Sequence, residues 1–143
     1  MNQVIWKLEN SDKKLRLGEI IGEGATATVL LANDMDDESI KYAVKRFDKS
    51  EMNAYDIADY KREALILKKL AGHPNIVKFI DSFEAAQHYY LLLEYCETDL
   101  FDSIFLKCGL PSNVVKKLFS DITAGIDYCH RNEIYHRDIK VNH

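Results

Sequence analysis

Residues 21–29 read Ile21-Gly22-Glu23-Gly24-Ala25-Thr26-Ala27-Thr28-Val29, a glycine-bearing turn whose surroundings decide the fold. Backbone amides approach phosphate oxygens closely only where side chains are absent, a condition that Gly22 and Gly24 meet. Dinucleotide-binding turns share this glycine spacing, but they lead into a helix. Here Val29-Leu30-Leu31 continues as a strand, and the third glycine position holds Ala27. Taken alone, the turn stays open between a structural hairpin and an anion-covering loop.

Outward from the turn, the apolar residues recur at period two. Leu15, Leu17 and Ile21 predict a strand before it, and Thr28 to Ala32 a strand after it. A polar turn over Asn33 to Ser39 leads to a third strand over Ile40 to Phe47, completing an antiparallel meander. The period then changes. Over Tyr55 to Leu70 a helix is expected, with Glu63, Ile66, Leu67 and Leu70 on one stripe that a single carboxylate heads. Gly72-His73-Pro74-Asn75 stops it, and two strands follow, from about Ile76 to Glu84 and from His88 to Tyr95. Beyond these, a short helix over Leu100 to Leu106 precedes a long one with Ser112 as its expected N-cap. Val115, Leu118, Phe119, Ile122, Ile126 and Cys129 form that helix's apolar face. The fold class is therefore α+β, a five-stranded antiparallel sheet with one inserted helix, then two helices.

Two further stretches carry chemistry. In Tyr42-Ala43-Val44-Lys45, Ala43, Lys45 and Phe47 share one strand face, so an ammonium lies beside a small residue that could admit a flat base. A strand lysine is often only a surface group. Glu63, however, is an acidic residue on an apolar stripe and needs a partner as much as an inward lysine does; a solvated Glu63 is the competing reading. In Tyr135-His136-Arg137-Asp138-Ile139-Lys140, a carboxylate followed two residues later by a cation can pair hydroxyl orientation with charge for a transferring phosphoryl group. The plain alternative is a charged surface turn.

Composition sets the bounds. The 143 residues are 47% hydrophobic and 29% charged, with a net charge of −4, which favours neither nucleic acid nor an anionic membrane as partner. Cys96, Cys108 and Cys129 are odd in number and widely spaced, which points away from a disulfide framework and toward a reducing setting, cytoplasmic or nuclear. The first ten residues lack a basic stretch followed by an apolar run, so no signal peptide is expected. No segment has the ~18 apolar residues of a membrane span. Cys129, His130, His136 and His143 match no common zinc spacing, and no metal site is expected.

Gly22-x-Gly24-x-x-Ala27-x-Val29, Ala43-Val44-Lys45, Glu63, His73-Pro74-Asn75-Ile76-Val77 and His136-Arg137-Asp138-Ile139-Lys140 stand in an order and spacing that closely resemble the eukaryotic-type protein serine/threonine kinase family. The resemblance runs from about Leu15 to Lys140. It implies a kinase-like N-lobe and the first helices of an incomplete helical C-lobe. Residues 1–14 form an N-terminal extension and 15–143 a partial kinase domain, with N-lobe and hinge start to 95 and the remainder from 96. It also implies ATP, Mg2+ and a protein bearing a serine or threonine hydroxyl. Ile21, Gly22, Glu23, Gly24, Ala25, Thr26, Ala27 and Val29 would cover the phosphates, and Lys45 would hold them, oriented by Glu63. Ala43, Leu93 as gatekeeper, and the backbone of Glu94 and Cys96 would receive adenine, with Asp99 near the ribose. Asp138 would orient the substrate hydroxyl, with Lys140 near the γ-phosphate; a lysine there is similar to the serine/threonine branch.

Departures qualify that picture. Thr26 replaces the usual aromatic at the loop tip, and the segment before Asp99 is short and lacks the family's frequent glycine. Where the family has a magnesium-binding asparagine stands His143, with Asn142 one position early; the Asp-Phe-Gly element is not among these residues. The expectation is thus a kinase domain without its protein Mg2+ ligands. The competing expectations are an inactive nucleotide- or protein-binding module and a degenerate product without function. Within these residues the face through Val115 and Phe119 is expected to stay without the helices that cover it in the family, which would forgo roughly 1.5–3 kcal/mol per apolar side chain and leave a surface for a partner or self-association.

Overall fold

A computed structural model describes residues 5–7, 14–106 and 109–140. Its contacts divide the chain into two units: the described residues up to Lys68 with Lys78–Tyr95, and Lys69–Val77 with the described residues from Cys96 onward.

In the first unit, six antiparallel strands follow the order β1-β2-β3-β4-β6-β5. They are β1 Ile5–Lys7, β2 Lys14–Glu23, β3 Thr28–Asp34, β4 Lys41–Asp48, β5 Phe79–Glu84 and β6 His88–Glu94. The sheet is the five-stranded one expected, plus β1. That strand pairs Ile5 with Arg16 and Lys7 with Lys14, within a segment read from sequence as an extension. Three residues are too few for a period-two pattern to register.

Alternation along the strands produces two cores. Val44 pairs with Leu92, and these side chains join Leu15, Leu30, Ala32, Tyr42 and Tyr90 in one buried cluster. The intervening residues of β4 and β6 point the other way, where Phe47, Tyr89 and Leu91 meet Tyr60 of helix α1, Ala54–Leu70. That helix begins at a reciprocal cap. Asn53 Oδ1 accepts from the Tyr55 amide at 2.7 Å, while Asp56 Oδ2 accepts from the Asn53 amide at 2.8 Å. It ends before Gly72, whose φ of 99° suits a residue without Cβ.

The second unit holds α2, Leu100–Leu106, and α3, Ser112–Arg131. Asp99 caps α2, its Oδ1 accepting from the Asp102 amide at 2.7 Å. Ser112 is not the N-cap of α3 as expected. Pro111 takes that position with no side-chain cap, because the helix starts at Ser112, one residue earlier than the reading placed it. The turn after α1 packs on α3 through three contacts. Asn75 Nδ2 donates to the Asp121 carbonyl at 2.6 Å, and the His73 ring stacks on Tyr128 with centroids 4.6 Å apart. Gly125, the one buried residue of α3, leaves the space; a Cβ there would lie 2.7 Å from the Asn75 carbonyl oxygen. None of these α3 contacts covers the apolar face, and Val115, Phe119 and Ile122 are exposed.

Candidate active site

Strand register assembles the site in the first unit. Gly22 pairs with Val29, Val29 with Lys45, and Lys45 with Leu91. Two residues further along, Leu31, Ala43 and Leu93 pair across β3, β4 and β6. Val29, Ala43, Lys45 and Leu93 therefore share a sheet face.

The turn at its margin is closed by the Gly24 amide donating to the Ala27 carbonyl at 2.8 Å. Glu23, Gly24, Ala25 and Thr26 are exposed, as is Ile21. Neither Gly22 nor Gly24 is among the described positive-φ residues, and a Cβ at either would meet only ordinary contacts, 3.6 Å from Val29 Cβ and 3.5 Å from the Ala27 carbonyl oxygen. Local conformation and packing thus leave both glycines unexplained. Without side chains, both positions leave the backbone of the turn open to an approaching group.

Lys45 and Glu63 meet. The Lys45 ammonium donates to Glu63 Oε1 at 2.8 Å and to Oε2 at 2.9 Å, and stands 5.1 Å from the centroid of Phe47. Two of its three donors are so engaged, and the third is available to an anion. The side chains are 29% and 36% exposed, so the pair is half-buried rather than enclosed as the strand position implied. Beneath the turn tip opens a cleft of about 140 Å³, lined by Thr26, Phe47, Met52, Asp59, Tyr60 and Glu63 among others. Tyr60 escaped the sequence reading. It shares the helix face of Glu63, and an aromatic residue three positions before it was the available signal.

Glu94 ends β6. Its amide donates to the Lys78 carbonyl at 3.0 Å and its Oε1 accepts from the Lys78 amide at 2.6 Å, so an adenine contact through its own amide is not available.

In the second unit, Cys96 is exposed, and Asp99 has one carboxylate oxygen held by its capping bond. Lys140 Nζ donates to Asp138 Oδ2 at 3.0 Å, and the Asp138 amide donates to His136 Nδ1 at 3.3 Å. Arg137 between them has φ of 64°, an uncommon backbone for a side chain of its size, and both Asp138 and Lys140 face solvent. Burial pushes the Cys129 thiol above its ordinary pKa, which disfavours the thiolate that metals bind. Among the described residues no group of three His, Cys, Asp or Glu side chains could hold a metal ion, so no step is assigned to magnesium. Asn142 and His143 lie outside the described residues. Nor is any helix among the described residues long and apolar enough to cross a membrane.

Residues 15–142 match the protein kinase domain family. The chain belongs to the eukaryotic-type serine/threonine protein kinase family. It is 36% identical to a probable serine/threonine-protein kinase KIN1 homolog from Enterocytozoon bieneusi, over 90% of this chain and 21% of that protein. It is 31% identical to CBL-interacting protein kinase 31 from Oryza sativa, over 94% of this chain and 30% of that protein. To the carbon catabolite-derepressing protein kinase of Secale cereale it is 32% identical, over 90% of this chain and 26% of the relative. The kinase chain thus spans between a fifth and a third of the length of these relatives.

Proposed function

We propose that this chain supplies the nucleotide-binding part of an intracellular kinase that phosphorylates serine or threonine in proteins, with residues 15–143 acting as a partial kinase domain. The observation that carries the reading is the bidentate Lys45–Glu63 pair beside a glycine turn that packing does not require. ATP supplies the phosphoryl group. The backbone of Glu23 to Ala27 covers its phosphates, and Lys45, aimed by Glu63, neutralises their charge. Ala43 and Leu93 flank adenine, with the Glu94 carbonyl and the Cys96 backbone reading its edge and the second Asp99 oxygen meeting the ribose. Asp138 orients the substrate hydroxyl and receives its proton while the new oxygen–phosphorus bond forms and the bond from the γ-phosphorus to the β–γ bridging oxygen breaks, releasing ADP. Lys140 stabilises charge on the transferring group.

Transfer of label from γ-labelled ATP to a generic protein substrate tests this in the gene product that carries the domain. Asp138→Ala should abolish it; transfer that survives this substitution overturns the assignment. A second role as a protein-binding module is favoured by α3, where Phe119 is 69% exposed within an apolar face. Self-association of the 143-residue chain through that face is the form of this reading that can be tested directly.

A further inference from the structure

Helix α1 carries Glu63 and packs on the sheet around Tyr60, with Ile57, Ala64 and Leu67 partly buried beside it. Its only buried residues are Tyr60 and Leu70, and Leu70 belongs to the second unit. Tyr60, 7% exposed, lies three residues before Glu63. Its ring stacks on Tyr89 at 4.6 Å and meets Phe47 edge-on at 5.3 Å. Its hydroxyl lies 3.3 Å from the Tyr90 carbonyl oxygen and 3.4 Å from that of Phe83, two residues paired across β5 and β6. Phe47 in turn is the ring beneath the Lys45 ammonium. Besides the ion pair itself, the Tyr60 side chain therefore links the helix bearing the carboxylate, through the Phe47 ring, to the strand bearing the lysine.

We infer that Tyr60 is a positioning residue that sets the Lys45–Glu63 pair, its hydroxyl fixing how closely α1 stands against the sheet. The inference rests on the nucleotide-binding reading above for its consequence, but not for its geometry. Without the hydroxyl bond the ring still fills its site, while the helix loses its polar contact to the β5 and β6 carbonyls. Glu63 then spends less time within reach of Lys45, and Lys45 is less well aimed at phosphate.

Two measurements on the 143-residue chain test this. In the first, ATP affinity is measured by calorimetry for the wild type, Tyr60→Phe, Glu63→Gln and the double variant. Tyr60→Phe should weaken binding by about three- to tenfold, and the double variant should be no weaker than Glu63→Gln alone. Losses that multiply in the double variant, or unchanged affinity in Tyr60→Phe, overturn the inference. In the second, limiting acylation followed by mass spectrometry compares Lys45 with Lys49, whose partner Glu84 lies on β5 rather than α1. Tyr60→Phe should raise labelling of Lys45 severalfold relative to Lys49. Equal acceleration of both, as a merely destabilised or unfolded variant gives, or no change in either, contradicts it. Should the wild type bind no ATP, the kinase reading fails while the labelling ratio still decides the role of Tyr60.

Discussion

Lys45 illustrates how a residue's meaning depends on its partner. A strand lysine alone signals nothing, but with both Glu63 oxygens within 2.9 Å it becomes a fixed charge beside a backbone turn. Removing a charged hydrogen-bond donor from such a site costs roughly 1.5–3 kcal/mol. Lys45→Ala should therefore weaken ATP binding about ten- to a hundredfold, and Glu63→Gln should weaken it less, because the ammonium stays in place. Titration calorimetry checks both. Gly125 matters for a different reason. An alanine gains about 1 kcal/mol of helix propensity, but its Cβ would sit 2.7 Å from the Asn75 carbonyl oxygen, and the backbone must give. Overpacking of this kind costs about 1–3 kcal/mol. Gly125→Ala is expected to lower the melting temperature measurably, whereas Ala124→Gly should act through propensity alone.

At the scale of elements, α1 and α3 behave oppositely. Helix α1 places Tyr60 against β6, and burial raises the pKa of Tyr60 and of Tyr90 above the ordinary 10.0. A raised folded-state pKa means that their neutral forms stabilise the fold fully below the unfolded value. That stability is lost as pH rises from about 10 through the raised values. Thermal melts between neutral pH and pH 11 should show this loss, and Tyr60→Phe should reduce its steepness. Helix α3 instead leaves part of its apolar face uncovered, with Val115 and Ile122 exposed beside Phe119. Sedimentation of the 143-residue chain should show concentration-dependent association that Phe119→Glu suppresses. Monomeric behaviour of the wild type at high concentration would remove α3 as a docking face.

Over the whole molecule, the strand-and-helix order could be read from sequence because hydrophobic period changes at each boundary. The sheet alternates, α1 carries a stripe, and α3 carries a wider one. What escaped notice depended on contacts between distant residues. β1 is too short to show a period, and its existence depends on pairing with β2. Tyr60 gains its place only from the fold, where β5 and β6 bring two carbonyls to its hydroxyl. Gly125 carries no signal of its own in the sequence, because its role depends on the Asn75 carbonyl lying against it. The candidate site was legible in part for the same reason. Lys45 and Glu63 announce each other chemically, whereas the capping duty of Asp99 follows from a local turn and the Lys78 bond of the Glu94 amide from cross-strand register, neither of which a motif encodes. The central claim is that the Lys45–Glu63 pair and the glycine turn hold the phosphates of ATP. Calorimetric titration of ATP into the 143-residue chain and its Lys45→Ala variant tests it most directly. Saturable binding that the substitution weakens at least about tenfold is predicted; no saturable binding at millimolar ATP, or equal affinity in the two proteins, would contradict it.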